Sequence, residues 1–69
     1  MKYHIECERE ADGRWLAEVP ELPGVLCYGS SADEAMRIAE TLALRVVAEQ
    51  LETGERQPVE FSISLANAA

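Results

Sequence analysis

Pro20-Glu21-Leu22-Pro23-Gly24, set between Trp15-Leu16-Ala17-Glu18-Val19 and Val25-Leu26-Cys27-Tyr28, decides how this chain folds. Two prolines remove backbone donors, and each pushes the residue before it towards an extended conformation. The segment therefore cannot lie inside a central strand. Gly24 suits a left-handed position. The five residues read as a stiff connection between two strands, with Leu22 available as an apolar plug. Residues 14–19 form the strand before it, with Trp15, Ala17 and Val19 on one face. Residues 25–28 form a short strand after it, ended by Gly29.

Upstream, residues 2–9 alternate. Tyr3, Ile5 and Cys7 fall on one side; Lys2, His4, Glu6 and Glu8 fall on the other, the pattern of a half-buried strand. Ala11-Asp12-Gly13 is a turn signal. A three-residue loop with Gly13 left-handed places Glu10 opposite Arg14, so Ile5 faces Val19 and Cys7 faces Ala17. One more loop residue would set Ile5 against Glu18 and mix the faces, which burial forbids.

Downstream, Ser31 and Glu34 have capping-box spacing, and Asp33 also favours the positive end of a helix dipole. The spacing predicts a helix over 32–52, with Gly54 beyond it as a C-cap. Ala35, Ile38, Ala39, Leu42, Ala43 and Val46 form one broad apolar face. Three alanines there allow close approach to a sheet. Leu44 and Leu51 lie on the opposite side, with Val47 near them. Residues 58–65 alternate again, with Val59, Phe61, Ile63 and Leu65 against Glu60, Ser62 and Ser64. They make a fourth strand, followed by a frayed tail from Ala66 to Ala69. The expected fold is α+β, in the order β-β-β-α-β. It is one domain over residues 1–69, with a single helix packed on a four-stranded mixed sheet.

Size and charge narrow the function. Sixty-nine residues bury a limited core, and an ordering cost of roughly 1.5 kcal/mol per residue nearly cancels the hydrophobic gain. With 48% apolar residues the chain is too hydrophobic for disorder, so a domain that completes its core as a homo-oligomer is expected. Leu16, Leu26 and Tyr28 on the outer sheet face, with Leu44 and Leu51 on the rear of the helix, are the candidate interface. Thirteen acids against six bases give a net charge of −7. That balance disfavours nucleic acid and anionic membranes. It suits either a basic protein partner or plain solubility. No signal peptide and no apolar run of membrane-spanning length are present, so a cytoplasmic protein without membrane contact is expected.

The sequence offers no catalytic, metal or cofactor constellation. His4 has no companion at metal or triad spacing and reads as an exposed strand histidine. Trp15 reads as a core residue rather than a ligand-stacking one. A three-strand meander, a helix and a further strand also opens the ribonuclease H fold, whose enzymes hold two metal ions with convergent carboxylates. Glu6, Glu8, Glu40 and Glu60 are the acids to weigh for such a role. Strand one carries no aspartate, and these acids read as solvent-facing alternates.

Taken in order, Asp12-Gly13, Trp15 and Ala17, Pro20-Glu21-Leu22-Pro23-Gly24, Gly29, and then Ser31, Glu34 and Ala35 on a capped helix resemble the HicB family of antitoxins. The likeness runs from about residue 3 to residue 65. It implies a degraded ribonuclease H-like fold without nuclease activity. It also implies a function: binding and neutralising HicA, a small basic toxin of double-stranded-RNA-binding-like fold that cleaves mRNA. Full-length members carry a C-terminal helix-turn-helix or ribbon-helix-helix segment for operator DNA. Only four residues follow the fourth strand here, so no direct DNA binding is expected. The alternatives are a stand-alone homo-oligomeric binding or scaffold protein of the same type, and a residual metal-dependent nuclease.

Cys7 and Cys27 fall on strands one and three. With strand two between them their backbones are about 9.6 Å apart, beyond the roughly 7 Å Cα limit for a disulfide. Both read as small buried hydrophobes. Titration of unfolded, unreduced protein with a thiol reagent is therefore expected to find both cysteines free. A count of zero would overturn the strand order.

Overall fold

The computed structural model describes residues 2–56 and 62–67. Its elements are β1 (Lys2–Arg9), β2 (Trp15–Glu18), β3 (Leu26–Gly29), α1 (Ala32–Thr53) and β4 (Ser62–Asn67). The strands form one mixed sheet in the order β3-β2-β1-β4. β1 and β2 are antiparallel, β2 and β3 are antiparallel, and β4 runs parallel to β1. The helix lies across one sheet face, and the fold is α+β.

The hairpin between β1 and β2 follows from its three-residue loop. The Gly13 N–H donates to the Glu10 carbonyl at 3.0 Å, and the Glu10 N–H donates to the Arg14 carbonyl at 2.7 Å. Gly13 has φ +91°, the left-handed position such a loop requires. Cys7 accordingly pairs with Ala17, which sets the apolar residues of both strands on the helix face. Arg14, expected inside β2, belongs to this turn.

Between β2 and β3 the chain makes two successive turns. The Leu22 N–H donates to the Val19 carbonyl at 2.9 Å, and the Val25 N–H donates to the Leu22 carbonyl at 3.0 Å. Pro20 and Pro23 occupy the second position of each, where a fixed φ is an advantage. Gly24 has φ +88° and makes the second turn type II, whereas Glu21 has no positive φ, so the first is type I. Leu22 is buried at the centre of the double turn, as a plug. Val25 stands just outside β3 because its N–H closes this turn. Gly29, expected to end the strand, is its last paired residue, opposite Trp15.

The helix begins as its capping residues require. The Ser31 hydroxyl accepts from the Glu34 N–H at 3.1 Å, and the Glu34 carboxylate accepts from the Ser30 N–H at 3.0 Å. At the far end Gly54 has φ +80°, and its N–H donates to the Leu51 carbonyl at 3.3 Å. The buried row is Ala35, Ala39, Ala43 and Val47, four residues apart, joined by Met36. Leu42 and Val46 only pack against its margin, and Ile38 is half-buried. Val47 therefore belongs to the core and not, as expected, beside the rear stripe. Three alanines in one row let the helix settle on that row, and the bulkier row at 38, 42 and 46 is tilted outward.

Tyr3, Ile5, Cys7, Ala17, Val19, Leu22 and Val25 supply the sheet side of the core. Trp15 is half-buried and packs against it, as expected of a core residue. The fourth strand was expected over 58–65. It is seen from Ser62, and the positions from 58 to 61, with Val59, Glu60 and Phe61, lie outside the described residues. It continues to Asn67, where a frayed tail was expected, because Ala66 and Asn67 stay in the parallel ladder opposite Glu6 and Cys7.

Gly29 and Gly24 separate two sources of strain. A Cβ on Gly29 would stand 2.6 Å from the Ala35 nitrogen, whereas nothing lies within 4 Å of one on Gly24, whose constraint is its φ alone. Gly24→Ala is expected to cost about 1–2 kcal/mol. Gly29→Ala must displace backbone and is expected to cost about 3 kcal/mol or more. Urea denaturation of both variants checks the order.

Candidate functional site

Alternation gives every strand an inner and an outer set of residues. The inner set meets the helix. The outer set forms an open face, which among the described residues carries no covering element. Its rows follow from the pairing: Tyr28, Leu16 and Glu8 stand side by side on β3, β2 and β1, and Leu26, Glu18 and Glu6 form the next row. Leu26 is 50% exposed and Tyr28 43% exposed; Leu16, beside Tyr28 on β2, is half-buried. The face is thus divided. An apolar patch occupies its β3 side, and an acidic stripe of Glu6, Glu8 and Glu18 begins one strand further in.

Glu6 and Glu18 are direct cross-strand partners. Like charges placed so are destabilising. Among the described residues no cation pairs with either carboxylate. The expected register of the first hairpin already implies this opposition, since Cys7 against Ala17 sets Glu6 against Glu18.

One cation does reach the patch. The Arg14 guanidinium lies 4.2 Å from the centre of the Tyr28 ring, a cation–π contact. Asp12 holds it there: the Arg14 Nε donates to Asp12 Oδ2 at 2.7 Å, and the Arg14 N–H donates to Asp12 Oδ1 at 3.0 Å. The backbone N–H of Arg14, and then its side chain, hold the Asp12 carboxyl below the usual range.

His4 is an exposed strand histidine, as expected, and it has a partner that spacing does not reveal. Its Nδ1 lies 2.7 Å from Glu21 Oε2, and its backbone N–H donates to Glu21 Oε1 at 3.2 Å. Glu21 thereby straps the double turn to β1. The hydrogen bond with the His4 ring, and then that from the His4 N–H, lower the Glu21 carboxyl from its usual value. No spacing rule in the sequence announces this pair, because it joins a strand to a turn 17 residues away.

The remaining candidates divide between other places. Gly29, Ser31, Glu34 and Ala35 meet at the junction of β3 and α1. Gly13, Pro20, Pro23 and Gly24 shape the two connections of the meander. Leu44 and Leu51 are 43% and 41% exposed on the helix, on the other side of the sheet from Leu16, Leu26 and Tyr28, so the five candidate interface residues form two separate patches. Cys7 and Cys27 are both free thiols, in one row on either side of Ala17. The Cys27 thiol donates to the Ala35 carbonyl at 3.1 Å, and burial pushes both thiols up. Of the acids weighed for metal chemistry, Glu6 and Glu8 are on the open face and Glu40 is on the helix beyond the sheet; Glu60 lies outside the described residues. Among the described residues no three His, Cys, Asp or Glu side chains gather as metal ligands would. No described helix is long and apolar enough to cross a membrane.

Glu21 and Asp12 have carboxyl groups lowered by folding, so each stabilises the fold above the carboxylate range. That contribution is lost as pH falls through the lowered values. Melting temperatures followed from about pH 7 to about pH 3 are expected to fall on the acid side. Glu21→Gln should lower the neutral-pH value and make the acid-side fall shallower. An unchanged acid limb in Glu21→Gln would show that the strap contributes nothing.

Comparison with known proteins agrees with a small shared domain. A protein of Archaeoglobus fulgidus described as a UPF0150 protein is 39% identical over 57 residues, covering 80% of this chain and 83% of the relative. No family model matches the sequence. No solved structure matches it either. On the identity and coverage of that alignment, the chain belongs to the UPF0150 family.

Proposed function

We propose that the protein is a non-catalytic binding module of the HicB-like type, which neutralises a small basic mRNA-cleaving toxin by masking it. The observation that carries this reading is the opposition of Glu6 and Glu18 on an uncovered face, beside exposed Leu26 and Tyr28. A like-charged pair without a counter-ion costs stability. Such a pair is accounted for if a cationic surface completes it. The net charge of −7 adds a long-range field of the right sign for steering a basic partner. In this reading the β-β-β-α-β order is a ribonuclease H-like fold that retains the sheet and has lost the nuclease chemistry.

The face has the composition of a protein interface, an apolar anchor beside charge. Tyr28, stacked under Arg14, offers the patch its largest ring. The stripe of Glu6, Glu8 and Glu18 would meet lysine and arginine side chains of the toxin.

Opposite effects on folding and binding test this. Glu18→Lys turns the repulsive pair into an attractive one and is expected to stabilise the fold by about 0.5 kcal/mol. The same change should weaken binding to a basic toxin-like protein, chosen as the product of the adjacent reading frame, by at least about tenfold. Wild-type affinity should fall as salt is raised. Urea denaturation and calorimetric titration read the two effects. Unchanged affinity in both Glu18→Lys and Glu6→Lys would remove this face from the interaction, and failure of co-expression to relieve toxicity would defeat the antitoxin reading.

A further inference from the structure

β3 ends the sheet, and among the described residues no strand lies on its outer side. Edge strands are ordinarily guarded by charge, proline, a bulge or a covering element. Leu26–Gly29 has no charged residue and no proline. Which backbone groups it leaves open follows from the turn before it. The Val19 N–H donates to the Val25 carbonyl at 2.9 Å. Antiparallel partners alternate between bonded and non-bonded pairs. The next pair bonded across β2 and β3 is therefore Ala17 with Cys27, and then Trp15 with Gly29. The N–H and C=O of Leu26 and Tyr28 point the other way, to the open edge.

We propose that this edge pairs with the same edge of a second copy of the chain, antiparallel about a two-fold axis at Cys27. The register is dictated by the four open groups. With Leu26 opposite Tyr28 of the second copy, all four find partners, giving four intermolecular hydrogen bonds. Shifting the register by two residues sets either Tyr28 against Gly24, which is held in a turn at φ +88°, or Leu26 against Ser30, whose N–H is already bonded to Glu34. Shifting it by one mixes the two faces. In the favoured register each exposed Leu26 packs beside an exposed Tyr28, an aliphatic–aromatic pair across the seam.

Charge does not oppose this arrangement at the seam, because β3 carries none. The row Glu8, Leu16, Tyr28 of one copy continues into Leu26, Glu18 and Glu6 of the other. The guanidinium of Arg14, seated on Tyr28 and paired with Asp12, then lies roughly two strand spacings, about 10 Å, from Glu18 of the second copy, too far to add an ion pair across the seam. The two Glu18 residues stay about 16 Å apart, three strand spacings across and two residues along, beyond the Debye length of about 8 Å at physiological ionic strength. A small domain gains a continuous eight-stranded sheet, and the open face stays uncovered. The pairing shares Leu26 and Tyr28 with the toxin-masking reading but does not use Glu6 or Glu18, so the Glu18→Lys test and the Leu26→Lys test can fail separately.

Analytical ultracentrifugation and amide hydrogen exchange test the proposal on the full chain. The wild type is expected to sediment at twice its 7.6 kDa mass at high micromolar concentration. The Leu26 and Tyr28 amides are expected to exchange at least about tenfold more slowly than in dilute monomer. Leu26→Lys and Tyr28→Lys alter exposed side chains and should give folded monomers by circular dichroism. A wild type that stays monomeric near millimolar concentration overturns the proposal. So does a dimer whose Leu26 and Tyr28 amides remain unprotected, or one dispersed by Leu44→Lys and not by Leu26→Lys.

Discussion

The backbone of β3 and the first turn of α1 lie so close at Gly29 and Ala35 that no side chain fits between them. The rest of the structure depends on that contact. It fixes the start of the helix over the edge strand, where the Ser31 hydroxyl accepts from the Glu34 N–H of the first turn and the Glu34 carboxylate accepts from the Ser30 N–H before it. From that start the helix can only descend along its row of small residues, Ala35, Ala39 and Ala43, all fully buried. Cys27 reaches the Ala35 carbonyl because the two elements are this near. With the helix committed to one face of the sheet, the even-numbered residues of the first three strands are committed to the other. The open face is thus a consequence of where the helix sits.

How much of this is legible in the sequence depends on the range of the interaction. Local rules suffice for the Gly13 loop, the Pro20–Gly24 connection and the Ser31 cap, because each is decided within a few residues by φ, donor count or spacing. The register of β1 on β2 follows from loop length and the ban on mixing faces, and it carries the opposition of Glu6 to Glu18 with it. Rotation of α1 about its axis is not legible in the same way. Its apolar arc is broad enough to accept either the row at 38, 42 and 46 or the row at 39, 43 and 47. The choice is made by how closely three alanines can approach a sheet, which periodicity does not measure. Hence Met36 and Val47 are core residues that pattern alone does not select.

The candidate face divides along the same line. Leu16, Leu26 and Tyr28 are grouped by strand alternation, which any reader of the sequence can apply. Leu44 and Leu51 are assigned to the rear of the helix by its own period, and the layering of the fold puts the two groups on opposite outer surfaces. The bonds of Glu21 to His4 and of Arg14 to Tyr28 connect a turn to a strand and a hairpin to an edge. No period links such positions, so no pattern reveals them.

The division of the open face carries a last physical consequence. An acidic stripe that opposes Glu6 to Glu18 works against the fold, and an uncharged edge with unpaired backbone groups invites another strand. If both defects lay on one strand, a single occupant would have to answer two incompatible chemistries, cationic and apolar. Here they are one strand apart: charge begins on β2, and β3 from Leu26 to Gly29 carries none. On the two proposals, a like strand at the edge and a basic surface on the face would not compete for the same charges. A second copy at the edge would set two acidic stripes in one sheet, and the field they present would be stronger than either chain makes alone.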